Sequence, residues 1–187
     1  MNMKPLLSLA CAVLLVTGCS EAPQESVGAA PRQLEWDDLM PVDFDPTGAL
    51  PDVDIGALSD DDPRTQRFYE LVREAWNNAP VVAELDGTLV RLPGFVVPLE
   101  YDEKQVSEFL LVPYFGACIH TPPPPANQIV HVTTGGFGPS PEQLWDPVWV
   151  TGTLRTETVV SELAHAGYRM DATVIEPYEE PAESAAN

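Results

Sequence analysis

The chain has 187 residues, with 9 Lys and Arg against 29 Asp and Glu, a formal charge of −20 at pH 7. Affinity for a phosphate backbone comes chiefly from basic side chains, so nucleic acid is excluded as an expected partner. Cations and basic surfaces are favoured instead, beside the plainer use of acidic surface in keeping a protein soluble.

The N-terminus, MNMKPLLSLACAVLLVTGCS, carries one positive residue, Lys4, then an apolar run from Leu6 to Val16 and the small residues Thr17 and Gly18 ahead of Cys19. This pattern predicts a secretory signal over residues 1–18, because the run falls well short of the roughly twenty residues a spanning helix needs. Val16-Thr17-Gly18-Cys19 resembles a bacterial lipobox, so the mature chain is expected to begin at an acylated Cys19; ordinary cleavage nearby would leave Cys19 a thiol. More than one acyl chain holds a protein to a membrane far more firmly than one. Ser20, where Asp would retain a Gram-negative lipoprotein at the inner membrane, points to a periplasmic protein lipid-anchored to the outer membrane. Cys11 leaves with the signal and Cys19 is modified, so Cys118 is the one thiol of the mature domain and no intramolecular disulfide is possible. Such a thiol is buried and inert, a metal ligand, or reactive.

Residues 19–33 are small, polar and proline-bearing, as a flexible tether is. A single globular domain is expected over 34–178, with a frayed tail over 179–187; the length suits one core, and 20 prolines imply many extended segments. From Leu34 to Pro63 the chain holds ten carboxylates and no basic residue, interrupted by Trp36, Leu39, Met40, Phe44 and Ile55. An extended arm packing these apolar residues on the domain is favoured over a cation site, since Asp beside Pro and Gly mostly makes turns. Asp62-Pro63 starts a helix, with Phe68, Leu71, Val72, Ala75 and Trp76 on one stripe that predicts core packing. After Pro80 the period changes. VVAEL (81–85) and TLVRLPGFVVPL (88–99) flank Asp86-Gly87, a hairpin signal. FLLVPYF (109–115), IVHVTT (129–134), VWVTGTLRT (148–156) and YRMDATVIEPY (168–178) are further strands, and VVSELAHAG predicts a helical turn stopped by Gly167. Five or six mostly antiparallel strands, with Gly94 and Gly152 where strands must bend, predict a mainly β fold: a small OB-like antiparallel barrel with an N-terminal helix and extended arm. A flat α+β sheet with the helix across one face is the alternative.

The chemistry-bearing stretch is GACIHTPPPPANQ, residues 116–128. If the strand from Phe109 stays extended, alternation puts Tyr114, Gly116, Cys118 and His120 on one side, where thiol and imidazole can share one ion or the imidazole can polarise the thiol. Pro122, Pro123, Pro124 and Pro125 favour a stiff polyproline segment that leaves little entropy to lose on binding, and Asn127 and Gln128 supply amides where the chain re-enters the sheet. Sulfur and imidazole suit Zn2+ or Cu+, with His131 on the next strand as a third ligand and His165, Glu100 or Asp102 as weaker ones. Two other readings stay open. In one, the prolines and amides form a protein-contact loop and Cys118 is buried filler; in the other, His120 activates a Cys118 nucleophile, for which no third orienting group is identifiable. TTGGFG (133–138) lacks the Lys-Ser/Thr of a phosphate loop.

LEWDDLMP (34–41), LDGTLVRLPGFVVPLE (85–100) and FLLVPYFGACIHTPPPPANQIV (109–130) together resemble the exported bacterial domain-of-unknown-function family DUF3299, over about Leu34 to Ile175. Gly116, Cys118, His120, Asn127 and Gln128 match its motif; His131 and His165 fall outside it. The resemblance implies an association with ABC-type transporters linked to zinc limitation. The leading expectation is therefore a transition-metal-binding accessory to such a transporter, with a protein-interaction module as the alternative and a thiol-dependent enzyme as the third reading.

Overall fold

The computed structural model describes residues 30–46, 48, 59, 61–119 and 123–179. The expected signal, Cys19, Ile55, His120, Pro122 and residues 180–187 lie outside the described residues.

The strands in chain order are β1 (Arg32–Gln33), β2 (Leu89–Tyr101), β3 (Val106–Val112), β4 (Val130–Thr133), β5 (Val148–Arg155), β6 (Val159–Val160), β7 (His165–Ala166) and β8 (Tyr168–Pro177). β2 closes the sheet by serving two neighbours in turn. Leu89–Gly94 pair with β5 and Phe95–Tyr101 with β3, while β3 pairs β4, β4 pairs β8 and β8 pairs β5. The result is a five-stranded OB-like barrel, antiparallel except for the parallel β4–β8 pair. Closure excludes the flat-sheet alternative.

Both glycines expected at bends sit at crossings too tight for a side chain. A Cβ on Gly94, where β2 changes partner, would lie 2.8 Å from the Val112 carbonyl oxygen; one on Gly152, at a register shift between β5 and β8, would lie 2.5 Å from that of Asp171.

Alternation divides the apolar residues into two layers. Val90, Leu92 and Val96 of β2, Phe109 and Leu111 of β3, Val130 and Val132 of β4, Val150 of β5 and Met170 of β8 fill the barrel. Val97, Leu110 and Val112 point the other way and form a second cluster on the outer face with Ala117, Ile129, Ala164 and Ala166. The arm completes the first layer. Leu34 and Leu39 are fully buried, the Trp36 indole donates to the Pro93 carbonyl at 2.8 Å, and the Tyr168 hydroxyl donates to the Leu39 carbonyl at 2.8 Å while accepting from the Val82 N–H at 2.7 Å.

Three expectations are corrected. VVAEL is not a strand: Ala83–Leu85 form one 3-10 turn, because β2 has β5 on one edge here and β1 on the other, leaving no free ladder. Asp86-Gly87 accordingly ties to the end of β5, with Gly87 N–H donating to Leu154 and Asp86 Oδ1 accepting from Thr156 N–H. The helix α1 (Pro63–Asn77) is capped as expected by Asp62, whose carboxyl is pulled down to about 2 by the Arg64 side chain and N–H. It is not core, however: Thr65 is its one buried residue, and Phe68, Leu71, Val72, Ala75 and Trp76 are only half-buried and join neither cluster. Strand and arm side chains already fill the barrel. Finally, VVSELAHAG is the β6–β7 hairpin rather than a helical turn; β-branched Val159-Val160 favour extension, and Ser161 Oγ accepts from the Leu163 and Ala164 N–H groups to make the turn.

Candidate functional site

β3 ends at Val112 because Pro113 has no N–H to continue the ladder. The chain then turns, with Gly116 at φ 82° and Cys118 at φ 66°, and the Ile119 N–H donates to the Gly116 carbonyl at 3.3 Å. Among the described residues Cys118 is the one non-glycine in the left-handed region, a conformation uncommon for such a residue. The expected extended run through residue 118 therefore does not occur, and alternation cannot be carried beyond Val112 to put thiol and imidazole on one side.

The Cys118 side chain is half-buried against the outer-face cluster, and desolvation alone pushes its thiol from 9.0 up to about 11. Among the described residues no cation offsets that shift. Thiolate, the form that attacks carbon or binds metal, is disfavoured at this position.

The two amides hold the protein to itself. Pro124 is buried, and the chain turns again over Ala126–Gln128. Fully buried Asn127 donates through Nδ2 to the Pro80 carbonyl at 2.9 Å, leaving Oδ1 without a partner; Gln128 Nε2 donates to the Trp36 carbonyl at 2.8 Å; the Ala126 carbonyl accepts from Gly167 N–H at 2.7 Å. One turn thus fastens the arm, the segment after α1 and the start of β8. His131 is buried on the outer face of β4, its Nε2 2.6 Å from Glu108 Oε1 and its Nδ1 unpartnered. His165 is half-buried on β7, Glu100 is exposed, and Asp102 accepts the Lys104 and Gln105 N–H groups, which lower its pKa. Among the described residues no three His, Cys, Asp or Glu are placed to hold one ion.

OB barrels bind oligonucleotides and oligosaccharides across the face of their second and third strands and the flanking loops. Here those strands are β3 and β4, and the second apolar cluster, supplied by the 113–129 loop and the β6–β7 hairpin, covers that face.

What the loop leaves open lies beside the cluster. Phe95, Val97, Pro98, Phe115, Ile119 and Trp145 line a groove of about 350 Å³ that is almost wholly hydrocarbon. Phe115 is 52% exposed, Ile119 57% and Trp145 68%. The Phe115 ring stands edge-on to Phe95 with centroids 6.0 Å apart, and tilted against Trp145 at 5.9 Å.

Residues 36–177 match the family described as protein of unknown function DUF3299. The chain belongs to the DUF3299 family. A DUF3299 family protein from Pseudomonas aeruginosa PAO1, known from a crystal structure, is similar to it at 46% identity with a TM-score of 0.65, over 82% of this chain and 99% of that one. None of the curated proteins matches.

Within this DUF3299 chain the groove was not foreseen from sequence. Phe115 falls in a stretch that alternation assigns to a strand, and Trp145 in the proline-bearing run PSPEQLWDP that resembles a plain connector. The available signal was a tryptophan in a polar loop, where nothing local buries it.

Proposed function

We propose that the protein is a periplasmic interaction module, lipid-anchored to the outer membrane through Cys19, which docks a partner protein on the groove of Phe95, Phe115, Ile119 and Trp145. The observation that carries this reading is the grouping of three large exposed apolar side chains over one groove while the thiol beside them is half-buried against the outer-face cluster. Clustered exposed apolar surface marks contact sites, and aromatic anchors in pockets supply most of the energy of such contacts. A component of an ABC-type transporter is the class of partner that the family resemblance suggests.

The zinc or copper(I) reading, with Cys118, His120 and His131 as ligands, has one cost to overcome: Cys118 must ionise against a burial that pushes its thiol to about 11, while His131 would bind through Nδ1, its Nε2 being 2.6 Å from Glu108. The nucleophile reading meets the same cost. Alkylation separates the three in a Cys19→Ser background, where Cys118 is the sole thiol of the mature chain. The interaction reading expects slow alkylation in the folded protein, unchanged by zinc, and fast alkylation after unfolding. A fast native reaction that zinc suppresses would replace it with the metal reading, and a fast one that zinc leaves alone with the enzyme reading.

A further inference from the structure

The groove ends at a ridge, residues 143–146, and a second cleft of about 330 Å³ lies across it. Leu144 and Trp145 face the first; Gln143 and Asp146 line the second, with Phe137 and Glu176. The first is nearly all hydrocarbon, the second carries carboxylates, and among the described residues no Lys or Arg lines either. The sequence explains the sign. From Gln105 to Leu154, the stretch that builds the ridge and the 113–119 turn, there is no Lys or Arg at all. The β2 side of the groove runs on into Glu100, Asp102 and Glu103, all exposed, with Lys104 in their midst. Arg91 reaches the edge of the second cleft through Glu176 and is already used: its guanidinium meets Glu176 at 3.2 Å and stacks on Trp149 at 4.3 Å.

Resting on the reading of the groove as a docking site, we infer that the occupant is a cationic segment of a partner protein, with one or two large apolar side chains seated between Phe95, Phe115, Ile119 and Trp145 and an adjacent Lys or Arg crossing the ridge to Asp146. Charge decides among the occupants an apolar groove admits. A second copy would bring the same acidic ridge against this one, and like charges across an interface oppose association. An anionic lipid surface is repelled for the same reason. A basic partner gains from both the ridge and the field of the whole chain, whose charge is −20.

The test uses the mature chain with Cys19→Ser and a fluorescein-labelled peptide, Lys-Lys-Leu-Phe-Lys-Leu-Lys-Lys, beside counterparts with Gln or Glu for every Lys, titrated by anisotropy. The Lys peptide should bind at least about tenfold more tightly than the Gln peptide, a gap that closes as salt screens the charges, and the Glu peptide should not bind. Phe115→Ala with Trp145→Ala should lose the Lys peptide by about tenfold or more, Asp146→Asn should weaken it severalfold, and Glu157→Gln, on the far connection after β5, should leave it unchanged. Circular dichroism confirms that each variant folds. If the Lys and Gln peptides bind equally and both are lost in the aromatic variant, docking stands and the cationic inference falls. Lys-peptide binding that survives the aromatic variant overturns the inference, since general acidity then suffices. Failure of both the Lys and Gln peptides, together with groove-dependent dimerisation in sedimentation or groove-dependent capture by phosphatidylcholine vesicles, overturns the partner protein in favour of a second copy or a lipid surface; failure without either overturns docking itself.

Discussion

Tyr168→Phe isolates the contact that locks the arm to the barrel. The ring is fully buried, so the substitution removes one oxygen and little else, but that oxygen serves two backbone groups far away in sequence, the Leu39 carbonyl and the Val82 N–H. A buried group left unsatisfied costs about 1–3 kcal/mol; with Leu39 buried and Val82 half-buried, the pair should cost roughly 2–4 kcal/mol. For a chain of this size that is a fall in Tm of roughly 4–16 °C. Urea unfolding followed by circular dichroism gives the energy, and hydrogen exchange gives its place: protection should drop first over residues 34–40 and 81–85, before the barrel strands. A loss below about 0.5 kcal/mol, or exchange that rises evenly over the whole domain, would refute the claim that this hydroxyl couples arm to barrel.

The thiol gives a pH prediction. Cys118 holds its proton to about 11 when folded against 9.0 ordinarily, so the folded chain keeps a proton that the unfolded chain gives up first; the resulting stability is full below pH 9, declines between pH 9 and 11 and is gone above. Burial raises the Tyr168 phenol too and acts in the same direction, so the measurement is the difference between Cys19→Ser and Cys19→Ser with Cys118→Ala: the second should show a shallower alkaline loss in urea titrations, and parallel profiles would remove the burial argument. Gly152→Ala places a Cβ 2.5 Å from a backbone oxygen in a paired strand, and the barrel should lose more than about 3 kcal/mol; an unchanged urea midpoint would show that the β5–β8 crossing is not what limits closure.

Strand identity was legible because Val, Ile, Tyr and Phe at period two have few other uses, and barrel closure because Gly94 and Gly152 break long strands where backbones must approach. The errors share a cause. VVAEL and VVSELAHAG are short, and what they become depends on whether an edge or a turn-making side chain is at hand, which only the assembled sheet or Ser161 decides. The α1 stripe is a good amphipathic pattern, yet it misled, because periodicity reports which face is apolar and not whether a core has room for it. At the site, the importance of the 116–128 stretch was legible and its conformation was not: alternation was extended past Pro113, where the missing N–H ends the ladder. Asn127 and Gln128 were expected as partner-contact residues of the loop, but the groups they bond, the Pro80 and Trp36 carbonyls, lie too far off in sequence for spacing to reveal.

The exposed aromatics and the sheltered thiol follow from one local geometry. Had the backbone stayed extended after Val112, Cys118 would have faced outward with Val112, and Phe115 and Ile119 inward with Leu111. With Gly116 and Cys118 both at positive φ, the chain instead folds back on the outer face: Ala117, fully buried, and the half-buried Cys118 fill space over Leu110 and Val112, and the bulky residues on either side of them are left facing solvent. Cysteine suits the inner position because it is small and tolerates an apolar setting while neutral. The turn that half-buries the Cys118 thiol is thus the same one that displays Phe115 and Ile119 to Trp145, so a site built on the sulfur and a site built on the aromatics compete for one conformation.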